Sequence, residues 1–339
     1  MKKQLKVAGQ KGDDKKSGNL CYSRPEKESL LFFSLLDYKN TYYTSKDFPK
    51  IKEFYNSFKT DVELFEWMNA RPKGNFQIVE VEGDKDVIIV IPTTDYDGEY
   101  ARTCREVIFF GFHILFIVSG KDNFYFNYSH NCNAGIRKAL EYSPTWIVLS
   151  NDDMVAIDMP TTLKEELNNI DPKKNTIAFC KNRLDVNNIV KFGTSTLLRN
   201  VVFYLLSDYT RTLLKLERKF GIKLLVELNH FPERYFTHYK YSFRSISDFA
   251  VFSADIFRKS KEFYDETFVV GAEDLLASLE IYANNIDYKT INYSIGSIGG
   301  ATVGSNGRML KDIMNMAYLN YKMKSILGNF KEHKCDKNL

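Results

Sequence analysis

Trp146-Ile147-Val148-Leu149-Ser150-Asn151-Asp152-Asp153-Met154 is the stretch that decides the fold class. Trp146 to Leu149 is a short, continuous apolar run, the pattern of a buried strand. It closes on an amide and two adjacent carboxylates. Open α/β sheets bind their ligands outside the carboxyl ends of the strands. Two neighbouring carboxylates there repel each other unless a cation lies between them, and a divalent metal carried by a diphosphate is one such cation. Asn and Asp also favour ordinary turns, so the motif alone leaves both readings open.

The surrounding sequence repeats the theme. Val87 to Ile91 is a continuous apolar strand closed by Pro92, and Glu99 to Gly111 can form a helix. Phe112 to Val118 is a second buried strand ending at Ser119-Gly120. Asn133 to Tyr142 reads as a helix ahead of Trp146. Asp158 and Pro160 look like the cap and first turn of a helix over Thr161 to Ile170. Asp248 to Phe257 reads as a strand running into a short helix. Strands alternating with helices predict a Rossmann-like, mostly parallel, doubly wound sheet flanked by helices.

The flanks differ. Residues 1–20 carry Lys2, Lys3, Lys6, Lys11, Lys15 and Lys16 with several glycines, the composition of a solvated, disordered tail. No apolar core follows those lysines, so the start does not read as a signal peptide. Residues 21–84 are expected to form a mainly helical extension. In it Phe48, Ile51, Phe54, Phe58, Val62, Phe65 and Met68 keep helical spacing up to Arg71-Pro72-Lys73-Gly74. Phe76 to Glu82 alternates like a strand before a turn at Gly83-Asp84. Residues 85–304 form the expected catalytic domain, interrupted by a helical insertion over 187–244. Residues 305–339 form an amphipathic helix and tail. Leu198, Val202, Leu205, Tyr209, Leu213, Leu216 and Phe220 make one basic amphipathic stretch. Met309, Ile313, Met316, Met323, Ile326 and Phe330 make another. Such stretches suit the interface of an anionic membrane, and equally suit packing on the sheet with lysines facing water.

Composition narrows the class. With 339 residues and 44% apolar content the chain has ample core material. A net charge of +4 permits anionic ligands but does not call for nucleic acid, and no nucleic-acid-binding signature appears. The five cysteines are scattered, with no C-x-x-C, which suits a reducing cytoplasm. His130 with Cys132, and His333 with Cys335, are too sparse for zinc. The run from Val107 to Val118 is too short to span a bilayer and is broken by Gly111 and His113. Any membrane attachment would therefore be peripheral and salt-sensitive.

Four separated pieces stand in order: Ile91-Pro92-Thr93-Thr94-Asp95, Asn133-Ala134-Gly135, Asn151-Asp152-Asp153, and Gly271-Ala272-Glu273-Asp274. This order resembles the large inverting glycosyltransferase family with the GT-A fold, of the family 2-like, rhamnosyltransferase-like group. There a first strand ends in Ile-Pro-Thr-Tyr-Asn, and an Asn-x-Gly segment begins a helix. A D-x-D-type motif follows the third strand, and a Glu-Asp pair opens a late helix. The resemblance covers roughly residues 86–304 with a break near 185–245.

It implies a GT-A enzyme that moves a sugar from a UDP-, GDP- or dTDP-linked donor to a hydroxyl of a glycan, protein or lipid-linked acceptor. It implies Asp153 as the ligand of a Mn²⁺ or Mg²⁺ ion. Pro92, Thr93, Thr94, Asp95, Asn133, Asn151 and Asp152 would face the nucleotide sugar. Inversion is one in-line displacement, needing a base for the incoming hydroxyl and a Lewis acid on the leaving diphosphate. Asp274 matches the base, with Glu273 in reserve. Without the other pieces, Glu273 and Asp274 would read as acids complementing a helix N-terminus.

Three departures stand out. Ser119 occupies the end of the second strand where the family usually has a base-contacting Asp, and Asp122 is the nearest stand-in. Ser297 precedes Ile298-Gly299-Gly300 where the family often has a metal-binding His. Leu276 and Glu280 replace a common Asp and Arg. These leave a degenerate, non-catalytic binding or assembly protein as an alternative. A sugar nucleotidyltransferase is a further one, although the acidic Asp95-Tyr96-Asp97-Gly98 replaces the glycine-rich basic loop such enzymes normally carry.

Overall fold

The computed structural model describes residues 58–121, 125–172, 176–181, 246, 248–259, 262–269, 271–284 and 286–298, parts of a helix over 314–326, and the backbone of 189–192 and 241–244. In chain order the elements are α1 (Asp61–Ala70), β1 (Gln77–Val81), β2 (Asp84–Thr93), α2 (Glu99–Thr103), β3 (Phe112–Val118), α3 (Tyr128–Leu140), β4 (Trp146–Ser150) and β5 (Met154–Ala156). There follow α4 (Pro160–Asn168), β6 (Thr176–Cys180), β7 (Ile189–Phe192), β8 (Tyr241–Arg244), β9 (Phe249–Ser253), α5 (Ala254–Arg258), α6 (Glu273–Ala283), β10 (Asp287–Ile291) and β11 (Ile295–Ser297).

The continuous apolar runs become the middle of a seven-stranded sheet in the order β1-β3-β2-β4-β9-β6-β10. β2 pairs in parallel with both β3 and β4, and β6 with β10. Ile88, Ile89, Val90 and Ile91 are wholly buried, because a strand covered on both faces has no solvent side to leave polar. The sheet is mixed, however. β9 runs antiparallel between β4 and β6, and β1 runs antiparallel along β3 at the edge. A buried strand reads the same in either direction, so alternation could not reveal this. β1 also places residues 77–81, grouped by sequence with the N-terminal extension, in the same layer as the strands beyond residue 85.

Apolar side chains fill both faces. Ile89, Phe116, Val148 and Val251 pack on one side with Leu163 of α4. Ile88, Leu115, Ile147 and Phe252 pack on the other with Ile136 of α3. A third cluster joins Leu64 and Met68 of α1, Leu276 and Leu279 of α6, and Met314, Leu319 and Met323. Of the apolar residues expected along the C-terminal stretch, Met323 is buried and Ile326 half-buried in this cluster, and Met309, Ile313, Met316 and Phe330 lie outside the described residues. Asn315 strengthens that docking, accepting from the Val269 N–H at 2.9 Å. The tail 1–20 and the stretch 197–225 lie outside the described residues. Among the described residues no helix is long and apolar enough to cross a membrane.

Several boundaries differ from expectation for local reasons. α1 begins at Asp61, because the Thr60 hydroxyl accepts from the Glu63 N–H at 3.2 Å and caps it. Phe58 therefore precedes the helix, and 48–57 lies outside the described residues. The helix expected over 99–111 gives way after Thr103 to a π-turn, Cys104–Ile108. α3 starts five residues before Asn133, where Asn127 accepts from the His130 N–H at 2.9 Å. Asp158 does not cap α4: its carboxylate takes the Ser294 N–H at 2.7 Å, and Met159 occupies the cap position.

Candidate active site

Parallel pairing brings the carboxyl ends of β2, β3 and β4 to one edge of the sheet. There Thr93, the last residue of β2, acts as a hub. Its hydroxyl donates to Asp152 Oδ2 at 2.7 Å in a buried bond and accepts from the Asp95 N–H at 3.2 Å. Its carbonyl accepts from the Ser119 N–H at 3.0 Å and the Ser119 hydroxyl at 3.3 Å. Ser119 therefore laces the ends of β2 and β3 together. Thr94 and Asp95 are half-buried just beyond. Asp95 pairs with Lys121 at 2.5 Å, and the lysine's hydrogen bond holds the Asp95 carboxyl below its usual range.

Asp152 and Asp153 are 6% and 3% exposed. The π-turn reaches them, since the Cys104 thiol contacts the Asp152 carbonyl at 3.2 Å. Burial, with the Asp152 charge adding, pushes that thiol up to about 12. It stays protonated and acts as a donor rather than a nucleophile. π-turns inside helices often mark functional sites, and this one packs behind the carboxylate pair. On the other side β11 pairs with β5, setting Ser297 opposite Met154, and the Ile298 N–H donates to the Asp153 carbonyl at 2.9 Å.

Asn151 faces a second group of residues. Its N–H donates to the Asp248 carbonyl at 2.8 Å, and its amide oxygen accepts from the Tyr128 hydroxyl at 3.1 Å. Tyr128 lies within electrostatic reach of Glu273, and Asp248 within reach of Asp274. The turn into α6 is strained: Ala272 has φ 68°, a left-handed conformation uncommon outside glycine, and Gly271 before it has φ 122°. The Gly271 N–H donates to Glu273 Oε2 at 2.5 Å, so buried Glu273 braces its own turn.

Asp274 differs from its neighbour. Its Oδ1 accepts from the Leu275 N–H at 2.9 Å. Burial, with the Asp248 charge adding, pushes its carboxyl up to about 6. A helix N-terminus normally lowers an acid. Desolvation and a like charge outweigh that effect here, as they do where a carboxyl is prepared to exchange protons.

Thr93, Ser119, Asn151, Asp152 and Asp153 thus gather at one sheet edge, with Pro92 buried near the end of β2. Asn151 bonds Tyr128 and the Asp248 backbone, and these two lie within electrostatic reach of Glu273 and Asp274. Asn133 has another role. Its amide donates to Tyr264 O at 2.8 Å and Glu266 Oε1 at 3.0 Å, and its Oδ1 accepts from the Phe263 and Tyr264 N–H groups at 3.1 and 3.0 Å. That side chain is 2% exposed and holds the 263–266 loop, which leaves it no bond for a sugar nucleotide. Asp122 lies outside the described residues. Sequence reasoning missed Tyr128, Cys104 and Asp248. For Asp248 the sequence held no signal: the acid reaches this edge only because β9 runs antiparallel to β4.

Among the described residues no three His, Cys, Asp or Glu side chains gather as a metal site. With Asp152 bonded to Thr93, a cation here would draw chiefly on Asp153. Mg²⁺ is commonly held by one or two carboxylates plus substrate phosphates. The donor set therefore fits a divalent ion shared with a diphosphate rather than one caged by protein alone. No protein-family model matches the chain, and no curated protein matches it at a significant level.

Proposed function

We propose that the chain is an inverting, metal-dependent glycosyltransferase of the GT-A type, transferring a sugar from a nucleotide diphosphate donor to an acceptor hydroxyl. The observation that carries the reading is Asp274, a carboxyl raised to about 6 by burial and by the charge of Asp248, whose carbonyl accepts the N–H of Asn151 next to the buried Asp152-Asp153 pair. A carboxylate of that basicity suits a general base near neutral pH. In this reading Asp274 takes the proton of the acceptor hydroxyl, and Glu273 fixes the turn that presents it. Asp153 would hold Mn²⁺ or Mg²⁺, which neutralises the leaving diphosphate when bound. Thr94 and Asp95 border the nucleotide. The glycan, protein or lipid-linked character of the acceptor would be set by the residues beyond this edge.

A second reading, a binding or assembly protein built on the same sheet, draws on Ser119, Asn133 and Ser297. The first two are occupied within the protein, and the third stands where a metal-binding His is expected. Donor hydrolysis across UDP-, GDP- and dTDP-sugars, with and without Mn²⁺, separates the two. The glycosyltransferase reading expects metal-stimulated turnover that Asp153→Asn abolishes without altering the unfolding midpoint by more than a few degrees. Binding of nucleotide with no turnover under any metal condition would favour the binding protein.

A further inference from the structure

The two edges of the seven-stranded sheet are finished differently. At one edge lies β1, whose acids are used within the chain. Glu80 accepts from the Tyr142 hydroxyl and lies 3.5 Å from Lys138, and the turn residue Glu82 lies 3.4 Å from Lys85. At the other edge lies β10, which among the described residues pairs with β6 alone. Asp287, Tyr288, Lys289 and Thr290 are all exposed. Among the described residues neither Asp287 nor Lys289 makes an ion pair. An edge strand is a template for any strand that approaches it, and a lysine there ordinarily discourages pairing. Here an acid stands two residues before the lysine, on the same face of the strand.

Asp287-Tyr288-Lys289 is complementary to its own reverse. Two copies that extend a sheet across a two-fold axis pair antiparallel, and residues directly opposite each other share a face. Only registers centred on a residue that meets its own copy satisfy both conditions. Centred on Asp287 or on Lys289, like charges meet. Centred on Ile286 or Thr290, neither charge finds an opposite. Centred on Tyr288, Asp287 opposes the second copy's Lys289, Lys289 opposes the second copy's Asp287, and the two tyrosines meet on the other face. Opposite charges and aromatic pairs across strands stabilise an antiparallel ladder, and like charges destabilise it. The Tyr288 ring is already held on its face by Phe179, with ring centres 6.4 Å apart.

We propose that β10 is a self-association edge, where a second copy of this chain adds its own β10 antiparallel in the register centred on Tyr288. The sheet then continues from one copy into the other. β6 and β9 separate β10 from β4. The candidate active site therefore stays open in each copy, and the proposal does not rest on the transfer reading. A strand of five residues buries less than an ordinary stable interface, so the dimer is a weak one.

Sedimentation velocity of the full chain, from about 1 to about 200 μM, tests it. A reversible monomer–dimer equilibrium is expected. Asp287→Lys sets lysine against lysine, and Lys289→Asp sets acid against acid. Each alone is expected to weaken association about tenfold or more. The double variant Asp287→Lys/Lys289→Asp keeps the net charge, restores both pairs and should associate as the wild type does. An equimolar mixture of the two single variants should form a heterodimer, since each then opposes the other's charges. The substituted positions are exposed, and circular dichroism would verify that every variant keeps the wild-type spectrum. A chain that stays monomeric throughout, single variants that associate like the wild type, or failure of the double variant or the mixture to restore association would each overturn the proposal.

Discussion

Replacing Asp274 by Asn separates chemistry from stability, because the two should move in opposite directions. Folding raises this carboxyl from 3.8 to about 6, chiefly through burial and then through Asp248. A raised carboxyl binds its proton more tightly in the folded chain than in the unfolded one. Its neutral form is therefore no burden below about pH 4. As pH rises from about 4 to 6 the unfolded state gives up the proton first, and stability falls by this group's contribution. Above pH 6 the ionised carboxylate destabilises the fold by at most about 3 kcal/mol, since each tenfold gain in proton affinity on folding is worth roughly 1.4 kcal/mol. An amide of the same shape never ionises. Asp274→Asn should accordingly be about 1–3 kcal/mol more stable than the wild type at pH 8 and no more stable at pH 4. Urea unfolding at intervals between those pH values measures the gap. Over the same range, wild-type transfer should decline as pH falls through about 6, and the variant should bind donor but not transfer. Stability traded against activity in this way marks a site kept for function. A stability gap that is equal at pH 4.5 and pH 8 would show that Asp274 does not titrate there. Turnover retained in the variant would remove it as the base.

Asn133→Ala strips partners from the buried N–H and carbonyl of Tyr264 and from the half-buried Phe263 N–H and Glu266 carboxylate. It should cost about 3–5 kcal/mol in urea unfolding, and a loss under 1 kcal/mol would mean that water replaces the amide. Gly135→Ala gains about 1 kcal/mol of helix propensity, but its methyl would overlap Val90 and crowd Ile117 at 3.2 Å. Overpacking costs about 1–3 kcal/mol, so the variant should melt lower, and a higher midpoint would show that α3 can shift off the sheet. Truncation after Gly304 removes Met314, Tyr318, Leu319 and Met323 from a shared cluster, about 1.5–3 kcal/mol for each large apolar side chain. That approaches the whole stability of an ordinary domain, so cooperative thermal unfolding should be lost. A sharp, unchanged transition would show the segment to be dispensable and free to seek a membrane.

The parts of the fold that could be read in advance are those whose signal is local. The runs Val87–Ile91 and Trp146–Leu149 are apolar without interruption, Phe112–Val118 is broken only by His113, and all three form neighbouring strands in the middle of the sheet. The direction of β9 is not legible, because burial on both faces leaves no trace of which way a strand runs. Helix starts escape because apolar periodicity does not mark the cap. Asn127 and Thr60 each cap through a side chain three residues from the N–H they accept, yet the helical spacing runs straight past Thr60 from Phe58 to Val62, and the helix read from Asn133 starts beyond Asn127. The C-terminal stretch shows the limit of amphipathicity. Its sequence fits a membrane and a protein core alike, and only the presence of α1 and α6 beside it decides for packing in the described part.

The candidate site divides along the same line. A polar residue at a strand end is easy to find, but what it does depends on atoms far away in sequence. Thr93 and Asp152 are 59 residues apart, and Asn133 and Tyr264 are 131 apart. Read from sequence, Thr93, Asp152 and Asn133 share one role, that of facing a ligand. In the structure the bonds of Asn133 all close on one loop, and Thr93 and Asp152 bond each other, whereas Asp274 keeps a carboxyl that no cation among the described residues neutralises. Desolvation and the like charge of Asp248 favour the protonated form of this acid, against the Leu275 N–H that favours its carboxylate. A group that holds its proton up to about pH 6 and gives it up near neutrality can take another from an incoming hydroxyl. Asp274 therefore supports the transfer reading more strongly than the better-known carboxylate motif does, since Asp152 and Asp153 would serve a binding protein equally well.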